Sequence, residues 1–215
     1  MSVQIWRSGL LALSLLSFSG ICSIPIAFAF SLQSEQRNFR LVTEGRFFRS
    51  GQMSLSGLSR AIHNHKIRSV ITFRGSYDLD KGNPDANEEA WCNQEGIRYL
   101  RLMPLHWHSE GQGEPPILAN LHKYFNFLAN EENYPILIHC FAGIHRTGAY
   151  CALYRMEVED WSCSRALHEM RTCGYSSIDQ DIDISRFLAD YKVGGHHSKL
   201  TRKKLGSSPL FSFGN

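Results

Sequence analysis

An apolar run, Pro135-Ile136-Leu137-Ile138, leads directly into His139-Cys140-Phe141-Ala142-Gly143-Ile144-His145-Arg146-Thr147-Gly148. This junction constrains the chain more than any other stretch. The run reads as a short buried strand, and Tyr150, Leu153, Tyr154 and Val158 then recur at helical spacing, so a helix begins at or near Arg146. A tight loop between a strand and a helix N-terminus turns backbone N–H groups inward, and the helix dipole adds positive potential. Such a cup is built for an anion. The same field stabilises a thiolate at Cys140, and the planar fork of Arg146 can grip two oxygens at once. The plainer alternative is a buried structural cysteine with an unrelated surface arginine. Six fixed residues meet by accident with a probability on the order of 10⁻⁶ at average residue usage, so the functional reading prevails.

These residues resemble the signature of the cysteine-dependent protein tyrosine phosphatases, and within them the bacterial exported dual-specificity enzymes. The resemblance implies a two-step reaction, in which Cys140 attacks phosphorus to give a phosphocysteine that water then hydrolyses. It also implies that the amides of Phe141, Ala142, Gly143, Ile144, His145 and Arg146, with the Arg146 guanidinium, hold the phosphate oxygens. By the same resemblance His139 orients the loop and Thr147 donates to the cysteine sulfur. Gly143 and Gly148 allow the tight turn and close helix packing. Upstream, Gly45-Arg46-Phe47-Phe48-Arg49-Ser50-Gly51-Gln52 is similar to the opening strand of the bacterial members. Relatives place an arginine at the end of the next strand, which here is Arg74. It either touches substrate or ties down the loop, and a surface arginine is the bland alternative.

The chain departs from its relatives at the general acid. They use an aspartate on the loop after the third strand, because an unprotonated oxyanion leaves poorly. The corresponding loop, residues 104–116, contains no aspartate; its proton donors are His106, His108, Glu110 and Glu114. Laid on the relatives' pattern, His108 occupies the acid's place, while Glu110 is the nearest carboxylate and the closer chemical substitute. Both stand as candidates, and Asp78, Asp80 and Asp85 from the loop after Arg74 are next in line.

The variable positions of the cup, Phe141, Ala142, Ile144 and His145, supply no lysine. A multiply charged substrate rewards nearby cations, so this rim favours a phosphoprotein, phosphotyrosine above all, with phosphoserine and phosphothreonine also open. A cysteine phosphatase of inositol phosphates or other small phosphate monoesters is the alternative, and a phosphate-binding module with weak turnover is the third reading. No metal or other cofactor is implied, since no Cys-x-x-Cys pair occurs.

A chain of 215 residues is enough for one domain, and a formal net charge of +3 is too mild to argue for nucleic acid. Residues 9–30 form an uncharged stretch ending in Ala27-Phe28-Ala29, which reads as a secretory signal peptide over residues 1–29 with an uncleaved membrane anchor as the rival. An exported, periplasmic or cell-envelope enzyme is therefore expected. Cys140 is the free nucleophile of the six cysteines, and the pairing of Cys92, Cys151, Cys163 and Cys173 is left open, with Cys151 expected in a helix core. Residues 30–45 read as a loose lead-in, 46–192 as the phosphatase domain and 193–215 as a basic, disordered tail.

Strands are expected at 69–73, 97–103 and 136–139. Helices are expected after Ser54, from Pro84 or Asp85 to Glu95, from Pro116 to Asn130, after Ser162, and around Ile184 to Tyr191. Alternation of strands and helices predicts an α/β fold, a central and mostly parallel sheet of about four to five strands flanked by helices.

Overall fold

The three central strands of the sheet are short and send alternate residues to opposite faces, so each needs cover on both sides. In β5 (Ile136–His139), Ile136 and Ile138 enter one core while Leu137 enters another. In β3 (Ser69–Thr72), Ile71 and Val70 divide in the same way, and in β2 (Phe47–Ser50) so do Phe47 and Phe48. All four residues of each of these strands are buried, as expected of strands covered on both faces. The computed structural model describes residues 35–78, 80, 82–109 and 111–194. The expected signal segment, nearly all of the basic tail, and Glu110 lie outside them. Among the described residues no helix is long and apolar enough to cross a membrane.

The sheet has five strands in the order β1-β2-β5-β3-β4, with β1 at Arg40–Thr43 and β4 at Arg98–Arg101. Strands β2, β5, β3 and β4 run parallel, and β1 is antiparallel to β2. The α/β expectation holds. β1 falls inside the stretch read as a loose lead-in. It is an edge strand of four residues, with Leu41 exposed and a bulge between Leu41 and Thr43, too short to carry a readable alternation.

One face is covered by α1 (Leu55–His65), started by the Ser54 hydroxyl accepting from the Gly57 amide, and by Cys92 of α2 (Ala86–Gln94). The other face receives α3 (Ile117–Leu128), α4 (His145–Val158), α5 (Cys163–Thr172) and α6 (Ile182–Asp190). α4 is the central element. Every residue from Thr147 to Glu157 is buried, so the helix is enclosed all round rather than amphipathic. Tyr154 stacks on Phe47 at 4.1 Å and Tyr150 on Phe73 at 3.9 Å, which pins α4 to the strand ends beneath it. Such ring pairs contribute about 0.5–1.5 kcal/mol each beyond the area they bury. The five described cysteines, Cys92, Cys140, Cys151, Cys163 and Cys173, are free thiols, with Cys151 in the core of α4 as expected.

Candidate active site

Ser50, Thr72 and His139 end three adjacent parallel strands in register, so the loop leaving β5 emerges at the middle of the carboxyl edge of the sheet. Ligands of open α/β sheets bind at that edge. The carbonyls of the loop are drawn outward by the rest of the chain. Phe141 O accepts from the Gln52 amide at 2.9 Å, Ala142 O from Asn38 Nδ2 at 2.8 Å, and Gly143 O from Arg49 Nη2 at 2.9 Å. With its carbonyls turned outward, the loop turns amides inward, and the Gly143 amide donates to Cys140 Sγ at 3.3 Å. Gly143 has φ of +75°, and a Cβ there would lie 2.4 Å from the Gly51 nitrogen, so only glycine fits this approach. α4 then starts at His145, within one residue of the expected start.

Cys140 is buried at the floor of the cup. Burial alone would push its thiol up. The neighbouring Thr147 hydroxyl and amide, the Gly143 amide and the charge of His139 together override burial and hold the thiol below its ordinary value. Thr147 is completely buried. Arg146 Nη1 donates to the Phe73 carbonyl at 2.9 Å, which fixes the guanidinium beside the cup.

His139 is part of a network that the sequence did not reveal. Its Nδ1 faces Cys140 O at 3.3 Å, and its Nε2 pairs with Glu88 Oε1 of α2 at 2.7 Å. Glu88 also accepts from Gln52 Nε2 at 2.6 Å and from the Tyr99 hydroxyl at 2.9 Å. Both partners are buried. Burial opposes each charge, but their mutual hydrogen bond and attraction prevail, so the Glu88 carboxyl is held low and the His139 imidazole high. Arg74 joins from the end of β3. It pairs with Asp85 and donates to Gln52 Oε1 at 2.7 Å, while Asp85 accepts from Thr72 Oγ1 at 2.6 Å. Of the two roles open to Arg74, the geometry shows it tying down the loop's support.

Asp85, Glu88 and His139 bring their ligand atoms within 4.8 Å of one another. Their donor set is already spent on Thr72, Gln52, Tyr99 and each other, and the guanidiniums of Arg74 and Arg101 stand against Asp85. A divalent cation would have to displace these charges, so the group fits an ion-pair network rather than a metal.

Beside Arg146 lies a cavity of about 360 Å³. Its walls include His106 and Trp107 from the loop after β4, His145 and Arg146 from α4, and Asp181 and Asp183 from the start of α6. Trp107 is buried between Tyr150 and Phe187, and the loop backbone is tied to α3, with the Ile117 amide donating to His106 O at 3.0 Å and Asn120 Nδ2 donating to Met103 O at 2.6 Å. The first half of this loop is therefore fixed by packing. His108 does not line this cavity. It pairs through Nδ1 with Asp183 at 3.0 Å and faces an adjoining groove of about 540 Å³. His145 Nε2 lies 2.8 Å from Asp181 Oδ2, and the Tyr175 hydroxyl donates to the same oxygen at 2.6 Å. At the rim, Phe141 is 56% exposed, with the guanidinium of Arg37 at 4.1 Å from its ring centre and that of Arg74 at 5.3 Å. The cup has no lysine, yet two arginines from outside it approach its edge.

The tyrosine phosphatase family model matches residues 35–207. The chain belongs to that family. It is similar to the dual specificity protein phosphatase TpbA of Pseudomonas aeruginosa, 31% identical over 109 residues that make up 51% of this chain and 47% of that protein. The chain thus spans about half the length of this relative. It is also 35% identical over 164 residues to the inositol diphosphatase DSP5 of Arabidopsis thaliana, covering 73% of this chain and 70% of that protein. Among solved structures, the catalytic core of the PP-IP phosphatase SIW14 from S. cerevisiae superposes with a TM-score of 0.59 at 22% identity, over 78% of this chain and 93% of that one. At that identity the likeness speaks for the fold alone.

Proposed function

We propose that this protein hydrolyses phosphate monoesters, phosphotyrosine in proteins first among them, through a phosphocysteine on Cys140. The observation that carries the reading is the depressed thiol at the floor of a loop whose carbonyls are tied outward, with Arg146 anchored beside it. The thiolate attacks phosphorus, and the amides of residues 141–146 with Arg146 offset the charge on the equatorial oxygens. His139 and Arg74 hold the frame of the loop rather than the substrate. The exposed ring of Phe141 offers an aromatic face to an aryl ester, which supports phosphotyrosine over a sugar phosphate.

A second reading has its own observation. Arg37 brings positive charge to the rim, which suits a polyphosphorylated substrate, and the Arabidopsis relative carries the name of an inositol diphosphatase. Comparing kcat/KM for a phosphotyrosine peptide, a phosphoserine peptide and an inositol pyrophosphate separates the two. The phosphotyrosine peptide is expected to rank first, and an inositol pyrophosphate at the top of the panel sinks the protein-substrate reading. In the same panel Cys140→Ser is expected to abolish turnover while still binding phosphopeptide. Substantial remaining turnover would refute the phosphocysteine.

A further inference from the structure

The leaving oxygen needs a proton, and the loop expected to deliver it has no aspartate. The groups that can exchange protons in the cavity beside Arg146 are His106, Tyr150, His145, Asp181 and Asp183. Tyr150 is buried and its phenol is pushed well up, so it holds its proton. Asp183 is occupied by His108. Asp181 is held low, because hydrogen bonds from Tyr175, His145 and the Ile184 amide overcome the effect of burial, so it stays a carboxylate and is a poor acid.

His145 is different. A carboxylate can only accept, so the 2.8 Å contact with Asp181 Oδ2 requires the proton on His145 Nε2. Nδ1 is then the nitrogen that gains and loses the second proton. His145 immediately precedes Arg146 in the loop, and both line the cavity. A ring whose tautomer is set by a part-buried carboxylate is an arrangement that suits histidine to carry a proton.

Resting on the phosphatase reading above, we infer that His145 is the proton-transfer residue of this enzyme and that Asp181 is its positioning residue. In the first step the Cys140 thiolate forms the S–P bond, the P–O bond to the leaving group breaks, and its electron pair takes the proton from His145 Nδ1–H. In the second, a water oxygen attacks phosphorus, the S–P bond breaks to return the thiolate, and neutral His145 Nδ1 accepts the water proton. The sum is ester plus water to alcohol plus hydrogen phosphate, with thiolate and imidazolium restored. Groups facing His145 are Asp181 and Tyr175 from the α5–α6 connection, Arg146 on its own helix, and His106 and Asp183 across the cavity, the last carrying His108.

The test compares aryl phosphates with good and poor leaving groups in His145→Gln, Asp181→Asn, Asp181→Glu, His108→Asn and Glu110→Gln, with Cys140→Ser as the inactive reference. Melting curves and inorganic phosphate binding establish that the cup of each variant is intact. His145→Gln is expected to lose about 10²–10⁴-fold on the poor leaving group and little on the good one, because a stable phenolate departs unprotonated. Asp181→Asn is expected to lose part of kcat on the poor leaving group with KM little changed, since the amide no longer obliges Nε2 to carry the proton, and Asp181→Glu to restore it in part. A merely structural Asp181 would lower activity on both leaving groups alike. If His145→Gln keeps the wild-type leaving-group dependence, the inference is overturned, and His106, His108 and Glu110 of the loop after β4 are the donors that remain. If His145→Gln fails to bind phosphate, the His145→Asn variant is read in its place. Turnover by Cys140→Ser would instead strike the phosphocysteine reading and leave the proton carrier as a separate result.

Discussion

Replacing Glu88 by glutamine removes one charge from the buried pair with His139 and leaves its shape. Losing one member of a buried pair costs about 3–5 kcal/mol when the other charge is stranded. Here His139 can shed its proton, and the amide keeps one acceptor for Tyr99 or Gln52, so a loss of about 1–3 kcal/mol is expected. For a domain of this size that corresponds to a fall of roughly 2–12 °C in Tm. The pH dependence is the sharper signature. Glu88 is depressed from its reference of 4.5, so its contribution is present above that value and is lost as pH falls through the lower folded value. His139 is raised from 6.5, so its contribution is complete below that value and is lost as pH rises through the higher folded value. The gap in Tm between wild type and Glu88→Gln should therefore be widest between pH 4.5 and 6.5 and narrow on both sides. Activity gives a second readout. His139 charge helps to hold the Cys140 thiol low, so its loss should move the acid limb of kcat/KM on a good leaving group to higher pH. Scanning fluorimetry and a pH–rate series measure both. A Tm gap that is flat from about pH 4 to about pH 9 would show that the pair is not ionic and refute the reasoning.

Gly143→Ala forces a Cβ at φ of +75° to within 2.4 Å of the Gly51 nitrogen, so the loop must shift. A misplacement of about 1 Å costs about 10²-fold, and wild-type kcat/KM in this variant would contradict the proposed cup. Protein recovered from the cell envelope is expected to begin at Phe30 by N-terminal sequencing, and intact Met1 in the membrane fraction would favour an anchor instead.

Much of the site was legible because its defining residues are contiguous. Strand, loop and helix follow one another over residues 136–158, so the order of residue types fixes the local geometry and the place of Cys140, Thr147 and Arg146. The support was not legible, because it comes from pairs distant in sequence. Glu88 meets His139 through α2, and nothing in α2's sequence marks a buried carboxylate; at that position a glutamate ordinarily reads as solvated. Arg37 and Asn38 fall in a polar stretch with no periodicity, yet one approaches the rim and the other holds the Ala142 carbonyl. Arg74 gave a sequence signal, as an arginine at a strand end, and so did His139 and the opening strand that carries Arg49 and Gln52.

The start of α6 makes the same point from the other end of the domain. Asp181 caps α6, accepting from the Ile184 amide at 3.2 Å. Its second oxygen is what reaches His145, 36 residues away. Two residues on, Asp183 reaches His108. One turn of chain thus grips both the cup and the loop after β4, so a shift of α6 would move His145 and His108 together. Substituting a cap residue would normally cost stability of about 0.5–2 kcal/mol and nothing more. At Asp181 the same change also removes the partner of the His145 ring, which lines the cavity with Arg146, and that is why its effect on leaving-group dependence, rather than on stability, decides what the residue is for.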